Sequence, residues 1–328
     1  MLFHLIGLKL DKIREKTKEI LTMNTFNTIA KDYFDFCQYQ KCLDSKTLKA
    51  YRIDLRQFAE FISTPSPLDI TSNDLESYIH MLHQTYKPKT CKRKIASIKA
   101  FFHYLEYKDL IEINPINKLH LKFREPITLP KTIPLHTIEL FLSTMYKQKS
   151  LSTTPYQKRC TLRDIAVVEL LFSTGMRISE LCSLKPEDIN LYERNILIHG
   201  KGAKERMIQL GNNAVISALS EYKEEYSADI ACCGYFFVNR QKKRLSEQSV
   251  RNMINKYASI ASIDLHITPH MFRHSFATCL LESDVDIRYI QEMLGHSSIN
   301  ITEIYTHVAM SKQRDILTTK HPRKDFQL

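Results

Sequence analysis

The sequence predicts a mainly α fold with one small antiparallel β-sheet, arranged as two domains. Three observations carry this. Apolar residues recur at helical spacing through most of the chain. Strand character is confined to NILIHGKGAKERMIQL, two short apolar segments around a glycine-bearing turn, with GYFFV as one further candidate. FREPITLPKTIP, residues 123–134, has three prolines and no helical period, which marks a linker between units that are each large enough to bury a core.

Taken in order, MLFHLIGLKL is apolar but short, carries Lys9 and runs into the charged DKIREKTKE. It lacks a small-residue cleavage site, so it reads as the start of an amphipathic helix rather than a signal peptide. Residues 1–24 are an N-terminal extension, with Met23 an alternative start, and 25–122 form a helical domain. FNTIAKDYFDFCQYQ is its first helix. SKTLKAYRIDLRQFAEFIS is the second, with Ser45 suited to the N-cap and Leu48, Tyr51, Leu55, Phe58 and Phe61/Ile62 on one stripe. STPSPLD breaks the chain. TSNDLESYIHMLHQ, capped at Thr71 or Ser72, is the third helix. KPKTCKRKIASIKAFFHYLEYKDL is the fourth, with Ile95, Ile98, Phe101, Phe102 and Leu105 on its later turns, and Asn114-Pro115 closes the unit.

Beyond the linker, 135–317 form the second domain and 318–328 a tail. HTIELFLSTMYK is a helix, STTPYQKR a long polar insert, and RDIAVVELLFSTG a buried helix ending at Gly175, a residue suited to a C-cap. MRISELCSL is a short helix, ILIH and RMIQL the strands, and SEQSVRNMINKYASIA a helix. TPHMFRHSFATCLLES starts with Thr268 at the N-cap and Pro269 at the first helical position. DIRYIQEML, INITEIYTHV and SKQRDILTT complete the order.

A net charge of +11 suits a polyanionic partner, nucleic acid first and acidic membrane second. No apolar run is long enough to span a bilayer. The eight cysteines form no CxxC pair, which with no secretory signal reads as reduced thiols in a cytoplasm. There is no HExxH, no paired CxxC and no GxSxG elbow, so neither a metal centre nor a serine hydrolase is indicated. The fourth helix opens with Lys87, Lys89, Lys92, Arg93 and Lys94, five cations without a carboxylate. Such runs are usually solvated helix ends, but a DNA backbone would relieve this one's self-repulsion.

The second domain holds the residues with chemistry. His270 and Arg273, three apart in the first turn after Pro269, share a helix face. A helix N-terminus suits an anion and disfavours imidazolium, which leaves His270 able to accept a proton. Arg177 follows the glycine that ends a buried helix, with Glu180 an ordinary partner three residues on. Lys201 stands between two glycines in the hairpin turn, where it can reach past a tight backbone. The spacing of GKGAK is not that of a P-loop. Read alone, His296 caps and Tyr305 packs.

Together, GMRISEL, GKGAKER, TPHMFRHSFAT, LGHSSI and ITEIYTHV resemble the tyrosine recombinase family of phage integrases and Xer recombinases. The resemblance spans 135–310. It extends more weakly to SKTLKAYRIDLRQFAEF and KRKIASIKAFFHYLEY, which look like the family's SAM-like core-binding helices. It implies a two-domain clamp around DNA and a transesterification that needs no cofactor. Arg177 and Arg273 would hold the scissile phosphate, His270 would act as base, Lys201 as general acid and His296 as a phosphate donor, with Tyr305 the nucleophile that forms a 3′-phosphotyrosine. The implied partner is a double-stranded recombination site, bound by a homotetramer or by a heterotetramer with a second recombinase. Strand exchange would serve mobile-element integration and excision or dimer resolution. Type IB topoisomerase activity and a non-enzymatic regulator on the same fold are the alternatives. The extension 1–24 and the insert STTPYQKR depart from the family's minimal pattern.

Overall fold

The computed structural model describes residues 26–62, 66–119, 130–200 and 205–295. The chain folds as two units, Met1–Ile127 and Thr128–Leu328.

In the first unit, helix α1 (26–35) widens into a π-turn at Phe36–Gln40 and is followed by α2 (Ser45–Phe61), α3 (Ser72–Thr85) and α4 (Pro88–Tyr107). The stripes foreseen on α2 and α4 form most of the core, although Phe61 at the end of α2 is exposed. Leu55, Phe58, Leu75, Tyr78, Leu82, Phe101, Phe102 and Leu105 are buried. Phe58 meets Tyr78 edge-on at 4.9 Å and Tyr33 meets Phe101 at 5.2 Å, pairs that add about 0.5–1.5 kcal/mol beyond their buried area. The cap of α2 is Asp44 and not Ser45. Its Oδ1 accepts from the Thr47 backbone N–H at 2.9 Å, and a carboxylate at that end also suits the helix dipole. Thr71 caps α3 in a reciprocal capping box with Asp74. The Thr71 backbone N–H and hydroxyl, both donating to Asp74, hold that carboxyl below its usual range.

The second unit is built around α6 (Pro155–Thr174), which is buried nearly all round and packs against α5 (Leu135–Leu151), α8 (Asn213–Glu225) and α11 (Pro269–Glu282). The stretch expected to be a polar insert is the first turns of α6. Thr154 and Gln157 form a capping box, and Pro155 fits the first helical position because its missing N–H would be unpaired there anyway. α7 (Ile178–Ser183) leads to the sheet of β1 (Ile189–Asn190), β2 (Asn195–His199) and β3 (Glu205–Gln209), antiparallel in that order. Ile189 pairs with Ile196, and Ile196 with Ile208, which puts the isoleucines on the core face. GYFFV adds no strand. It makes one isolated bridge, Val238 to Arg244. Its apolar run is explained by burial, with the Phe236 and Val238 N–H groups donating to the Leu184 carbonyl (2.8 Å) and the Tyr222 hydroxyl (3.0 Å). α9 (Ser227–Cys233), α10 (Glu247–Ile260) and α12 (Ile287–Leu294) complete the described elements. No helix among the described residues is long and apolar enough to cross a membrane.

Candidate active site

Three of the six residues singled out for chemistry lie among the described residues, and the fold gathers their supports. α6 ends at Gly175, whose φ of +59° favours a residue without a Cβ. A Cβ there would also stand 2.5 Å from the Phe276 ring and 2.9 Å from Leu294. Two residues on, Arg177 is the N-cap of α7. Its backbone N–H donates to Glu180 Oε2 and its Nη1 to Glu180 Oε1, both at 2.8 Å. The ordinary pairing with Glu180 therefore exists, and it leaves Arg177 36% exposed.

Arg273 is only 3% exposed. Its Nη1 donates to the Gly175 carbonyl at 2.7 Å and its Nη2 to the Leu294 carbonyl at 2.8 Å. It thus ties the turn before Arg177 to the C-terminal end of α12, one residue before Gly295, which is left-handed at φ +64°. The end carbonyls of a helix lack intrahelical partners and carry negative potential, so a guanidinium fits there.

His270 stands in the first turn of α11, as the sequence placed it, although Thr268 makes no side-chain cap bond. The His270 side chain is exposed at its surface, yet the protein packed around it desolvates the ring, and this, then the cations Arg273, Arg177 and Arg251, push its pKa down, against a smaller opposing pull from Glu247. His270 is therefore neutral near pH 7 and able to take a proton. His274, one turn on, is pushed down to about 4 by burial, His270 and Arg273.

Sequence reasoning missed Arg206. It sits on β3 with its side chain 9% exposed and makes a two-pronged pair with Glu180, at 3.2 and 2.7 Å, while its Nε donates to the Met293 carbonyl at 2.7 Å. Its signal was a charge sharing the inward alternation of Ile208. Glu180 thus accepts four hydrogen bonds. Arg206 and Arg177 hold its carboxyl below the usual range despite burial. At the end of β2, His199 bridges Asp188 (2.9 Å) and Glu205 (3.0 Å), closing the strands whose connection contains Lys201. Lys201, His296 and Tyr305 lie outside the described residues.

The basic start of α4 divides. Lys87, Lys89 and Lys92 are exposed. Lys94 is not on the surface, contrary to expectation. It is 3% exposed, 3.2 Å from Asp54 Oδ1 and hydrogen-bonded to Gln57. Asp54 of α2 is itself fully buried and also takes Arg93, whose side chain stays 47% exposed. The cluster has no carboxylate in sequence but acquires one in space. Lys94 falls on the same stripe as Cys91, Ile98 and Phe101, so its burial follows from helical spacing.

Comparison with known proteins gives the family and the fold. The Phage integrase family profile matches residues 144–312, and the profile of its N-terminal SAM-like domain matches 30–108. The chain is 64% identical over 304 residues to a tyrosine recombinase of Agathobacter rectalis, covering 93% of this chain and 99% of that protein. It is 35% identical over 306 residues to the tyrosine recombinase XerD of Listeria innocua serovar 6a, covering 90% and 99%. Among solved structures, XerH site-specific recombinase bound to a palindromic difH substrate, in a post-cleavage complex, shares the fold. Its TM-score is 0.67 at 23% identity, over 83% of this chain and 79% of that one.

Proposed function

Because this chain belongs to the phage integrase family of site-specific tyrosine recombinases, we propose that Arg177, Lys201, His270, Arg273, His296 and Tyr305 are the residues with which it cleaves and rejoins DNA. The observation that carries this is the bond from Arg273 to the Gly175 carbonyl, two residues before Arg177. It links two guanidiniums that come from distant parts of the sequence, beside a histidine held neutral.

A phosphodiester resists attack because its oxygens are negative. Two guanidiniums on its non-bridging oxygens offset the charge that builds up when a fifth oxygen approaches phosphorus. A phenol with a pKa of about 10 is costly to ionise near neutrality, by roughly 4 kcal/mol, so His270 takes the Tyr305 proton as the oxygen attacks. The new bond joins the Tyr305 oxygen to phosphorus, and the bond to the 5′ oxygen breaks. Lys201 donates the proton that makes this oxygen a 5′-hydroxyl, a role worth about 10²–10⁴ in rate. His296 donates to a phosphate oxygen. The 3′-phosphotyrosine keeps the bond energy, and a 5′-hydroxyl from another strand reverses the step. Exchange between two duplexes breaks four strands. With one nucleophile per chain, that takes four copies on the DNA, either of this chain alone or with a second recombinase. The reaction takes place in the cytoplasm, where the DNA is.

Lys87, Lys89, Lys92 and the exposed part of Arg93 grip the DNA backbone. Support comes from their place at a helix N-terminus without an acidic residue in the first turn, where the dipole disfavours cations and an anion relieves both.

Covalent trapping tests the reading. Purified protein is mixed with sheared, nicked host DNA, denatured and run beside Tyr305→Phe. A protein–DNA adduct is expected in wild type only, and sequencing it gives the site. An adduct in both would place the nucleophile elsewhere.

A further inference from the structure

We propose that Arg206 is a positioning residue for strand cleavage: by occupying Glu180 it keeps the Arg177 guanidinium available to the DNA phosphate. This rests on the assignment of Arg177 to that phosphate. Two guanidiniums compete for one buried carboxylate. Arg206 takes the two-pronged geometry, with one nitrogen on each oxygen at 3.2 and 2.7 Å. The Arg177 side chain makes a single bond, from Nη1 to Oε1 at 2.8 Å. A two-pronged guanidinium–carboxylate pair is the stronger arrangement. Without Arg206, Glu180 would carry a full charge opposed by Arg177 alone, and Arg177 would take the two-pronged position, turning its donors away from DNA.

The fold fixes Arg206 for this. Its side chain is 9% exposed, against 36% for Arg177. Its Nε is held by the Met293 carbonyl at 2.7 Å. Gly295 passes so close that a Cβ there would lie 3.1 Å from Arg206 Cδ. Arg206 and Arg273 therefore hold the consecutive carbonyls of Met293 and Leu294, so the same residue that disciplines Arg177 also fixes the point from which the chain runs on to His296.

The test compares wild type, Arg206→Met, Arg206→Met with Glu180→Gln, and Arg177→Ala. Each is assayed for single-turnover adduct formation and for affinity on the duplex recovered by trapping, and the crystal structure of Arg206→Met is determined without DNA. Cleavage by Arg206→Met should fall at least about tenfold with affinity within a few-fold of wild type. Adding Glu180→Gln should return part of the rate, because the uncompensated carboxylate is gone. Arg177 should swing into a two-bond pair with Glu180 in the crystal. Unchanged cleavage, a further loss on adding Glu180→Gln, or an Arg177 that keeps its single bond would each overturn the proposal. If Arg206→Met does not fold, Arg206→Lys, which keeps the charge and loses the two-pronged pair, carries the same comparisons. Full activity of Arg177→Ala would instead sink the assignment of Arg177, and the crystal geometry would still decide whether Arg206 governs it.

Discussion

In each unit a buried acid gathers cations, Asp54 in the first and Glu180 in the second, and the two are used differently. In the first, Asp54 draws Lys94 into the core and takes one bond from Arg93, while Lys87, Lys89 and Lys92 stay on exposed side chains. In the second, Glu180 and the backbone carbonyls of Gly175, Met293 and Leu294 hold three arginines in fixed directions. The first arrangement supplies charge with little regard to position. The second supplies position, which is what the proposed role in stabilising a transition state requires.

The contrast is open to attack at four points. Removing Asp54 should have the largest effect. Asp54→Ala strands Lys94 in the core and should lower stability by about 3–5 kcal/mol, read by denaturant unfolding. Asp54→Leu combined with Lys94→Met should recover most of it. Equal loss in both variants would mean that the pair is not what matters there. Next, Arg273→Gln should slow adduct formation by about 10²–10³-fold and leave gel-shift affinity almost unchanged. A parallel loss of affinity would make Arg273 a binding cation like those of α4.

The triple variant Lys87→Ala, Lys89→Ala, Lys92→Ala should do the opposite. Its affinity falls, and the dependence of log affinity on log salt flattens by about 0.9 for each phosphate that is no longer neutralised, while single-turnover cleavage of bound DNA keeps its rate. An unchanged salt slope would remove these lysines from the DNA interface. The smallest effect concerns pH. The folded pKa of His270 lies below its unfolded value of about 6.5. The base is thus neutral above that range, and the acid limb of kcat/KM should fall below pH 6.5. Arg251→Gln removes one of the cations that lower it, so the limb should move up. An unmoved limb would show that Arg251 does not act on His270. Stability follows the same sign. The unfolded chain binds protons at His270 and His274 that the folded one refuses, so stability falls as pH drops from about 6.5 toward the His274 value of about 4.

Helices with a full apolar stripe were legible in the sequence, because α2, α4 and α10 show burial every third or fourth residue. So were β2 and β3, from alternation around glycines. β1 was not, since two residues carry no period. The start of α6 was hidden by polar side chains, although Thr154, Pro155 and Gln157 spell a capping box. In the candidate site, local pattern drew attention to Arg177, His270 and Arg273, and the family resemblance supplied their proposed roles. What holds them could not, because Arg206 meets Glu180 across 26 residues and Met293 across 87. Such pairings depend on the register of β3 and the path of α12, which no local window contains.

Asp54 and Lys94 have a consequence for descent. Losing Asp54 leaves the charge of Lys94 in the core, and losing Lys94 leaves buried Asp54 to Arg93 alone, whereas the pair can be replaced together by apolar residues of similar volume. Selection therefore couples the two positions unequally, with Lys94 depending on Asp54 more than Asp54 depends on Lys94. A lineage that loses Asp54 before Lys94 passes through a weakened intermediate, whereas one that loses Lys94 first keeps Arg93 on the carboxylate.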